Sequence, residues 1–278
     1  MKVKAPDGVD TGKQALPNVD FSAYLETGGL PWQRRQRVFE AMARLQVERY
    51  RVASALEHNR RVSARIIGRG PVGINRALAD AAKSWRSVES VRHTGTVGQL
   101  MTSLPNNAFL IERGLRMVSL WSYSGLEPEA RLVLSGEDPS VYFFVFAPMQ
   151  MKIIDGTSVL LDGPSLRGDL TVMEVTDAAC LAAARGYWDA VSATRYPCDA
   201  ETAALVELSP RQRRIVTLML TSSSDEEIAR KLGVSVRTVR ADIAAVLSLL
   251  DAPTRFVAGL RLRERLGVPA PQPTDPVR

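Results

Sequence analysis

The segment Ser224-Asp-Glu-Glu-Ile-Ala-Arg-Lys-Leu-Gly-Val-Ser-Val-Arg-Thr-Val-Arg240 holds two helix starts and one helix stop in close succession. Ser224 with Glu227 three residues on is a capping box: the serine oxygen accepts from the first turn and the glutamate reaches back. The carboxylates of Asp225, Glu226 and Glu227 suit the positive end of the helix dipole. Ile228, Ala229 and Leu232 form an apolar face, and Gly233 supplies the positive φ at which a helix ends. Ser235, with Thr238 three residues later, starts a second helix that turns Val236, Val239, Ile243, Val246 and Leu247 inward. Upstream, Ser209-Pro-Arg-Gln212 is a further start, with serine as cap and proline in the first turn, for a helix burying Ile215, Val216, Leu218 and Met219. Two helices joined by Gly233-Val-Ser235 have the length and chemistry of a helix-turn-helix.

In that geometry the second helix enters the major groove and reads bases with its N-terminal residues. Its outward positions are Arg237, Thr238, Arg240, Ala241 and Ala244. Arginine bonds guanine O6 and N7 or grips phosphate, and threonine meets phosphate or a thymine methyl. The bland alternative is a helical bundle with exposed arginines. Helix length, turn, caps and outward basic residues all argue against it.

The strings Leu208-Ser-Pro-Arg-Gln-Arg-Arg-Ile-Val216, Glu227-Ile-Ala-Arg-Lys-Leu-Gly-Val-Ser235, Arg237-Thr-Val-Arg240 and Leu250-Asp-Ala-Pro-Thr-Arg-Phe-Val-Ala-Gly259 resemble the LuxR/FixJ-type DNA-binding domain. The resemblance implies four helices and a DNA-binding set of Ser235, Arg237, Thr238, Arg240, Ala241, Ala244 and Arg255. It also implies a fourth helix, about Thr254 to Leu266, that pairs two copies through Leu260 and Leu262. Gln212 stands where the family usually has Glu, Asp242 where His is common, and Ala244 where a basic residue often lies. The last two departures leave the operator sequence unpredictable.

Working outward, residues 1–29 are polar, with Pro6, Pro17 and Gly28-Gly29, and read as a flexible N-terminus without the apolar stretch of a secretory signal. From Pro31 a helical pattern runs to about Ile67. Val38, Met42, Leu45, Arg49, Val52, Leu56 and Asn59 alternate four and three residues apart, which places them on one stripe. Two readings follow: a coiled-coil seam in which Val38, Met42, Leu45, Val52 and Leu56 join two copies, or a helix packed on its own domain. A second helix is expected over Ile74–Trp85. From Ser87 the period shortens, and 114–121, 141–146, 151–154, 158–161 and 170–175 read as strands, with a hairpin at Asp155-Gly156. Residues 177–193 return to helix.

The expected fold is therefore α+β and multidomain. A helical segment spans 30–85, a small α/β module 86–196, a linker 197–204, an all-α helix-turn-helix domain 205–268 and a flexible tail 269–278. The net charge of +6 is unevenly spread: 30–92 holds 14 Lys/Arg against 5 Asp/Glu, 93–200 holds 7 against 12, and 205–278 holds 12 against 8. That layout suits an acidic module flanked by parts able to meet polyanions, or equally an arginine-rich solvated face. Cys180 and Cys198 have no metal-ligand spacing and read as ordinary thiols of a reducing cytoplasm. No run is long and apolar enough for a membrane span, and neither a metal nor a cofactor is expected.

No set of acidic pair, phosphorylatable Asp and late Lys, as a phosphoreceiver needs, occupies residues 1–120, and Trp121 and Tyr123 lack the spacing of an acyl-homoserine-lactone pocket. The arginine-rich helix, Leu110-Ile-Glu-Arg-Gly-Leu-Arg-Met-Val-Ser-Leu-Trp121 and Pro148-Met-Gln-Met-Lys-Ile-Ile-Asp-Gly156 are similar to actinobacterial regulators. Those join a TrmB-like helix and a phospholipase-D-like module to this output domain. Active phospholipase-D-like enzymes use His-x-Lys-x4-Asp with a histidine nucleophile. Aligned on Asp155, this chain has Pro148 and Gln150 in place of the His and Lys, and His58 and His93 lie elsewhere. The module is thus expected to be non-catalytic, and Trp121, Tyr142, Phe144 and Phe146 to be core rather than pocket lining. The functional expectation is a dimeric, cytoplasmic regulator whose partners are double-stranded DNA, a second copy, and an unidentified small molecule or protein, with RNA polymerase as a further candidate. Its rivals are a sigma-like promoter-recognition factor, a phospholipase-D-like enzyme, and a protein whose helix-turn-helix is a docking platform.

Overall fold

The computed structural model describes residues 30, 32–199, 208–219 and 224–265. The expected flexible ends, 1–29 and 269–278, and most of the expected linker lie outside these.

Trp32–Glu57 (α1) contains neither Gly nor Pro, and its stripe of Val38, Ala41, Leu45, Val52 and Ala53 is buried. Asn59, at φ 51°, lies just beyond its end in the left-handed region that asparagine tolerates. The chain continues through β1 (Ala64–Arg69), α2 (Gly70–Ala82), β2 (Ser87–Arg92), α3 (Val97–Glu112), β3 (Arg116–Ser122) and α4 (Pro128–Leu134). Next come β4 (Tyr142–Val145), β5 (Met151–Ile154), β6 (Ser158–Asp162), β7 (Thr171–Val175), α5 (Ala178–Ser192) and β8 (Tyr196–Pro197).

The strands form one sheet in the order β1-β7-β6-β5-β2-β3-β4-β8. β2, β3 and β4 run parallel, because α3 and α4 supply the crossovers that parallel neighbours require. β5 and β6 form the expected hairpin: Asp155 (φ 52°) and Gly156 (φ 68°) occupy the two left-handed positions, and Thr157 donates to the Ile154 carbonyl. The sheet is covered on both faces. On one, Leu45 and Val52 of α1 and Tyr187 and Trp188 of α5 pack on Val91, Leu120, Ile153 and Met173. On the other, Leu78 of α2 packs with Val88, Ile154 and Leu160, while Leu100 and Leu104 of α3 pack with Trp121, Tyr142 and Phe144.

This arrangement corrects three expectations. First, the stripe of α1 is filled by its own chain. Val38, Leu45 and Val52 have no solvent exposure, and Met42 and Leu56 pack partly buried on the same core. Arg51 pairs with Asp177 at the start of α5, and Arg49 donates to the Asp162 carbonyl, which accounts for the polar interruption of the stripe. The seam therefore offers no face to a second copy. Second, α1 stops ten residues short of Ile67, and β1 pairs antiparallel with β7 from Ala64–Val175 to Arg69–Thr171. Residues 30–85 and 86–196 are thus one α/β unit. Third, 196–197 is a strand paired with β4, not the start of a linker.

Trp121, Tyr142 and Phe144 are buried in the sheet's core, and Phe146 packs edge-on against Phe39. Cys180 and Cys198 are buried thiols, and burial pushes both up, to about 11 and about 12. No helix among the described residues is long and apolar enough to cross a membrane.

Candidate nucleic-acid interface

Four helices follow: α6 (Pro210–Met219), α7 (Asp225–Leu232), α8 (Val236–Leu249) and α9 (Arg255–Arg265). Of the local chemistry read from the sequence, the serine caps and the glycine stop are present. The Ser224 hydroxyl accepts from the Glu227 amide at 3.2 Å, Gly233 ends α7 at φ 65°, and Ser235 accepts from the Thr238 amide at 3.1 Å. Ile228 and Ala229 of α7 and Val239 and Ile243 of α8 share one apolar cluster with Ile215 and Leu218 of α6. That cluster sets the angle between the two helices of the motif. Val246, Leu250, Ala258 and Leu262 close a second cluster with Val216 and with Leu132 of α4.

Arg237, Arg240, Ala241 and Ala244 are exposed along α8, and Arg255 is exposed at the start of α9. The charges of this face are already organised. Arg240 reaches back to α7, with Nε 3.1 Å from Asp225 and a terminal nitrogen 3.3 Å from Glu226. Arg255 meets the same Asp225 at 2.8 Å. Burial alone would raise the Asp225 carboxyl, but hydrogen bonds and charge from Arg255 and Arg240 outweigh it, and the group is held below its usual range. Arg237 makes no hydrogen bond or ion pair with any described residue, so its guanidinium is available.

Ser235 and Thr238 are committed to the cap: their hydroxyls lie 2.8 Å apart, and Ser235 holds the Thr238 amide. Asp242 turns inward, buried, and takes two hydrogen bonds from Arg211 at 2.6 and 3.2 Å. It fastens α6 to α8 rather than facing outward. Of the two leucines expected to pair copies, Leu262 is buried in the domain's own core, which removes it from any contact surface. Leu260 is exposed beside Phe256, which is 76% exposed and was not singled out from the sequence. The signal for Phe256 was available: four residues separate it from Leu260 on one helix.

The domain is joined to the α/β unit through α6. Arg213 donates to the Ser135 carbonyl at 2.9 Å, and Arg214 approaches Glu137 at 3.3 Å. Burial pushes the Glu137 carboxyl up and Arg214 opposes it.

Of the residues aligned with the phospholipase-D motif, Asp155 and Gln150 take part in hydrogen bonds within the fold. The Asp155 carboxylate accepts from the amides of Arg86 and Ser87, and the Gln150 amide donates to Asp162 at 3.2 Å. His58 bonds the Ser54 carbonyl at the end of α1, and His93 is half-buried just after β2.

Residues 199–250 match sigma-70, region 4. The match takes in α6, α7 and α8, the helices that carry the candidate interface. A stretch of 118 residues is 26% identical to the bialaphos biosynthetic pathway regulatory protein of Streptomyces hygroscopicus, covering 42% of this chain and 46% of that protein. The chain therefore spans a little under half the length of that relative. Together these findings support a DNA-binding helix-turn-helix regulator. Among solved structures, the phospholipase D family member Nuc from Salmonella typhimurium aligns with a TM-score of 0.38 at 12% identity, over 49% of this chain and 97% of its own. TrmBL2, an archaeal chromatin protein, aligns with a TM-score of 0.34 at 14% identity, over 62% of this chain and 68% of its own. At such TM-scores neither likeness carries an argument.

Proposed function

We propose that this protein is a sequence-specific DNA-binding transcription regulator of the LuxR type, acting in the cytoplasm as a dimer, with an α/β unit that senses a signal without catalysis. The observation that carries the reading is the capped α7–α8 pair, which exposes Arg237 and Arg240 on α8, with Arg255 at the start of α9 meeting the same Asp225 as Arg240. Phosphate contacts there supply affinity, and a bidentate arginine–guanine contact supplies discrimination. Two copies meet through the exposed Phe256 and Leu260 of α9, setting two recognition helices on half-sites about one helical turn apart. The absence of His and Lys at positions 148 and 150 supports a non-catalytic unit.

Selection of bound sequences from a random DNA pool by the full-length chain, beside Arg237→Ala/Arg240→Ala, tests this. The expected result is an enriched two-fold-symmetric motif that the double variant loses. Enrichment equal in both proteins would remove α8 as the reading element. The match of residues 199–250 to sigma-70, region 4 favours a second reading, promoter recognition as a sigma-like factor. That reading requires enrichment of an asymmetric motif only when core RNA polymerase is present.

A further inference from the structure

On the face of the sheet covered by α2, the helix does not close completely over the strands. Ile74, Asn75 and Leu78 stand above a cavity of about 190 Å³ whose floor is Arg92, the last residue of β2, and Lys152 of β5. The register places Lys152 beside Ser90, so the two cations come from adjacent strands at the carboxyl end of β2. Both are half-buried, and neither has an anionic partner among the described residues.

Lys152 makes no hydrogen bond or ion pair with any described residue. The Arg92 guanidinium lies over the Trp121 ring, 5.3 Å from its centroid, and its Nε is buried without a hydrogen-bond partner. The carboxylate lining the cavity, Asp162, is exposed and accepts from the Gln150 amide, while its backbone carbonyl takes Arg49. Burial, with the charge of Arg92 added, brings the Lys152 amine down to about 8, and burial also lowers Arg92.

Desolvated charges are ordinarily paired, because an isolated one in a protein interior is strongly unfavourable. Two like charges on one cavity floor add mutual repulsion. Leu160 and Val172, which line the same cavity, are apolar, so packing alone would be served by two more apolar residues. The arrangement is complete once a doubly charged anion enters. A guanidinium grips an oxyanion through parallel N–H bonds, and an ammonium adds a compact charge beside it. We propose that this cavity is a binding site for a small phosphate-bearing molecule, with Arg92 and Lys152 holding the phosphoryl oxygens and Ile74 and Leu78 against its short organic part. The volume falls below the roughly 300–1,000 Å³ of drug-sized sites, which suits a small ligand.

The inference stands apart from DNA binding and is tested without DNA. Full-length protein is titrated by calorimetry and melted at pH 7.5 with inorganic phosphate or glycerol 3-phosphate, against sodium chloride at equal ionic strength. Both phosphate and its monoester are expected to raise the melting temperature above the chloride control; the tighter of the two tells whether the free ion or an ester is preferred. Lys152→Met is expected to weaken binding about tenfold or more, the loss of one charged hydrogen bond, while melting no lower than wild type without ligand. Lys152→Gln repeats the comparison with a polar side chain in case the methionine disturbs folding. Arg237→Ala/Arg240→Ala keeps the response, which separates this site from the α8 face. No response in wild type, or an equal response in both Lys152 variants, overturns the proposal.

Discussion

Arg240 must leave two carboxylates before it can touch DNA, and the size of that step can be worked out. Its side chain is 63% exposed, as is that of Glu226, so their 3.3 Å contact belongs with surface pairs worth about 0.2–1 kcal/mol. The contact to Asp225 is stronger on the acceptor side, since Asp225 is only 11% exposed, but the exposed guanidinium limits it to roughly 1 kcal/mol. Asp225 is not stranded when Arg240 departs, because Arg255 stays at 2.8 Å. Release therefore costs about 1–2 kcal/mol, and the observed loss in Arg240→Ala understates the base contact by that amount. Glu226→Gln removes the weaker tether. In the wild-type background it should tighten operator binding about two- to fivefold, the equivalent of 0.5–1 kcal/mol. Part of any such gain is relief of repulsion between Glu226 and phosphate, which has nothing to do with Arg240. A double-mutant cycle separates the two. Fluorescence anisotropy at fixed salt, on Glu226→Gln, Arg240→Ala and the double variant, should give a coupling of about 0.5–1 kcal/mol. If Glu226→Gln tightens binding equally with and without Arg240, the arginine is not being released from Glu226 to DNA, and the argument fails.

Leu45→Ala should destabilise the α/β unit by about 2–5 kcal/mol in urea melts, the range for emptying a fully buried leucine, while leaving the sedimentation coefficient unchanged; a stable variant with an altered oligomeric state would restore the seam as an intermolecular contact. Lys152 leads to a pH test. Its amine titrates near 8 when folded and near 10.5 when unfolded, so in that window the unfolded chain holds a proton the native one lacks, and stability rises with pH by up to about 3 kcal/mol. Cys180 and Cys198 act oppositely above about pH 9, so the quantity to plot is wild type minus Lys152→Met in phosphate-free buffer; a flat difference would show that Lys152 is solvated. Ser235→Ala removes the cap of α8 and the partner of the Thr238 hydroxyl, and should lower stability by about 1 kcal/mol, with Ser235→Thr restoring most of it in chemical denaturation.

The helix-turn-helix was legible because its chemistry is local. A cap spans three residues and a stop spans one, so Ser224, Gly233 and Ser235 declare both helices without reference to the rest of the chain. The stripe on α1 was legible only in part. Periodicity says which face of a helix is buried and is silent about what buries it; α5 and a second copy of α1 demand the same apolar spacing. β1 escaped notice because its strand is mixed in burial and one of its arginines, Arg65, is balanced across the ladder by Glu174. α3 was hidden by Pro105 in its interior, although its capping box at Thr96 and Gln99 was there to be read.

The contacts that bear most on function share a different property: each joins residues that are distant in sequence and carry no pattern of their own. Arg240 meets Asp225 across the turn, Arg92 and Lys152 meet across β2 and β5, and Arg213 of α6 meets the Ser135 carbonyl at the end of α4. A charge count over segments averages such pairs away. Lys152 falls in the segment 93–200, acidic in sum, and Arg92 in the basic segment 30–92, so neither count shows the pair of cations that floors the cavity. Net charge is set mostly by side chains in water, where a sign reversal shifts the free energy little. In a half-buried position the same reversal is felt strongly, because the solvent that would screen it has been displaced. The chemistry of a site is therefore carried by the few charges whose solvent the fold has removed, and those are known only once the strands are paired.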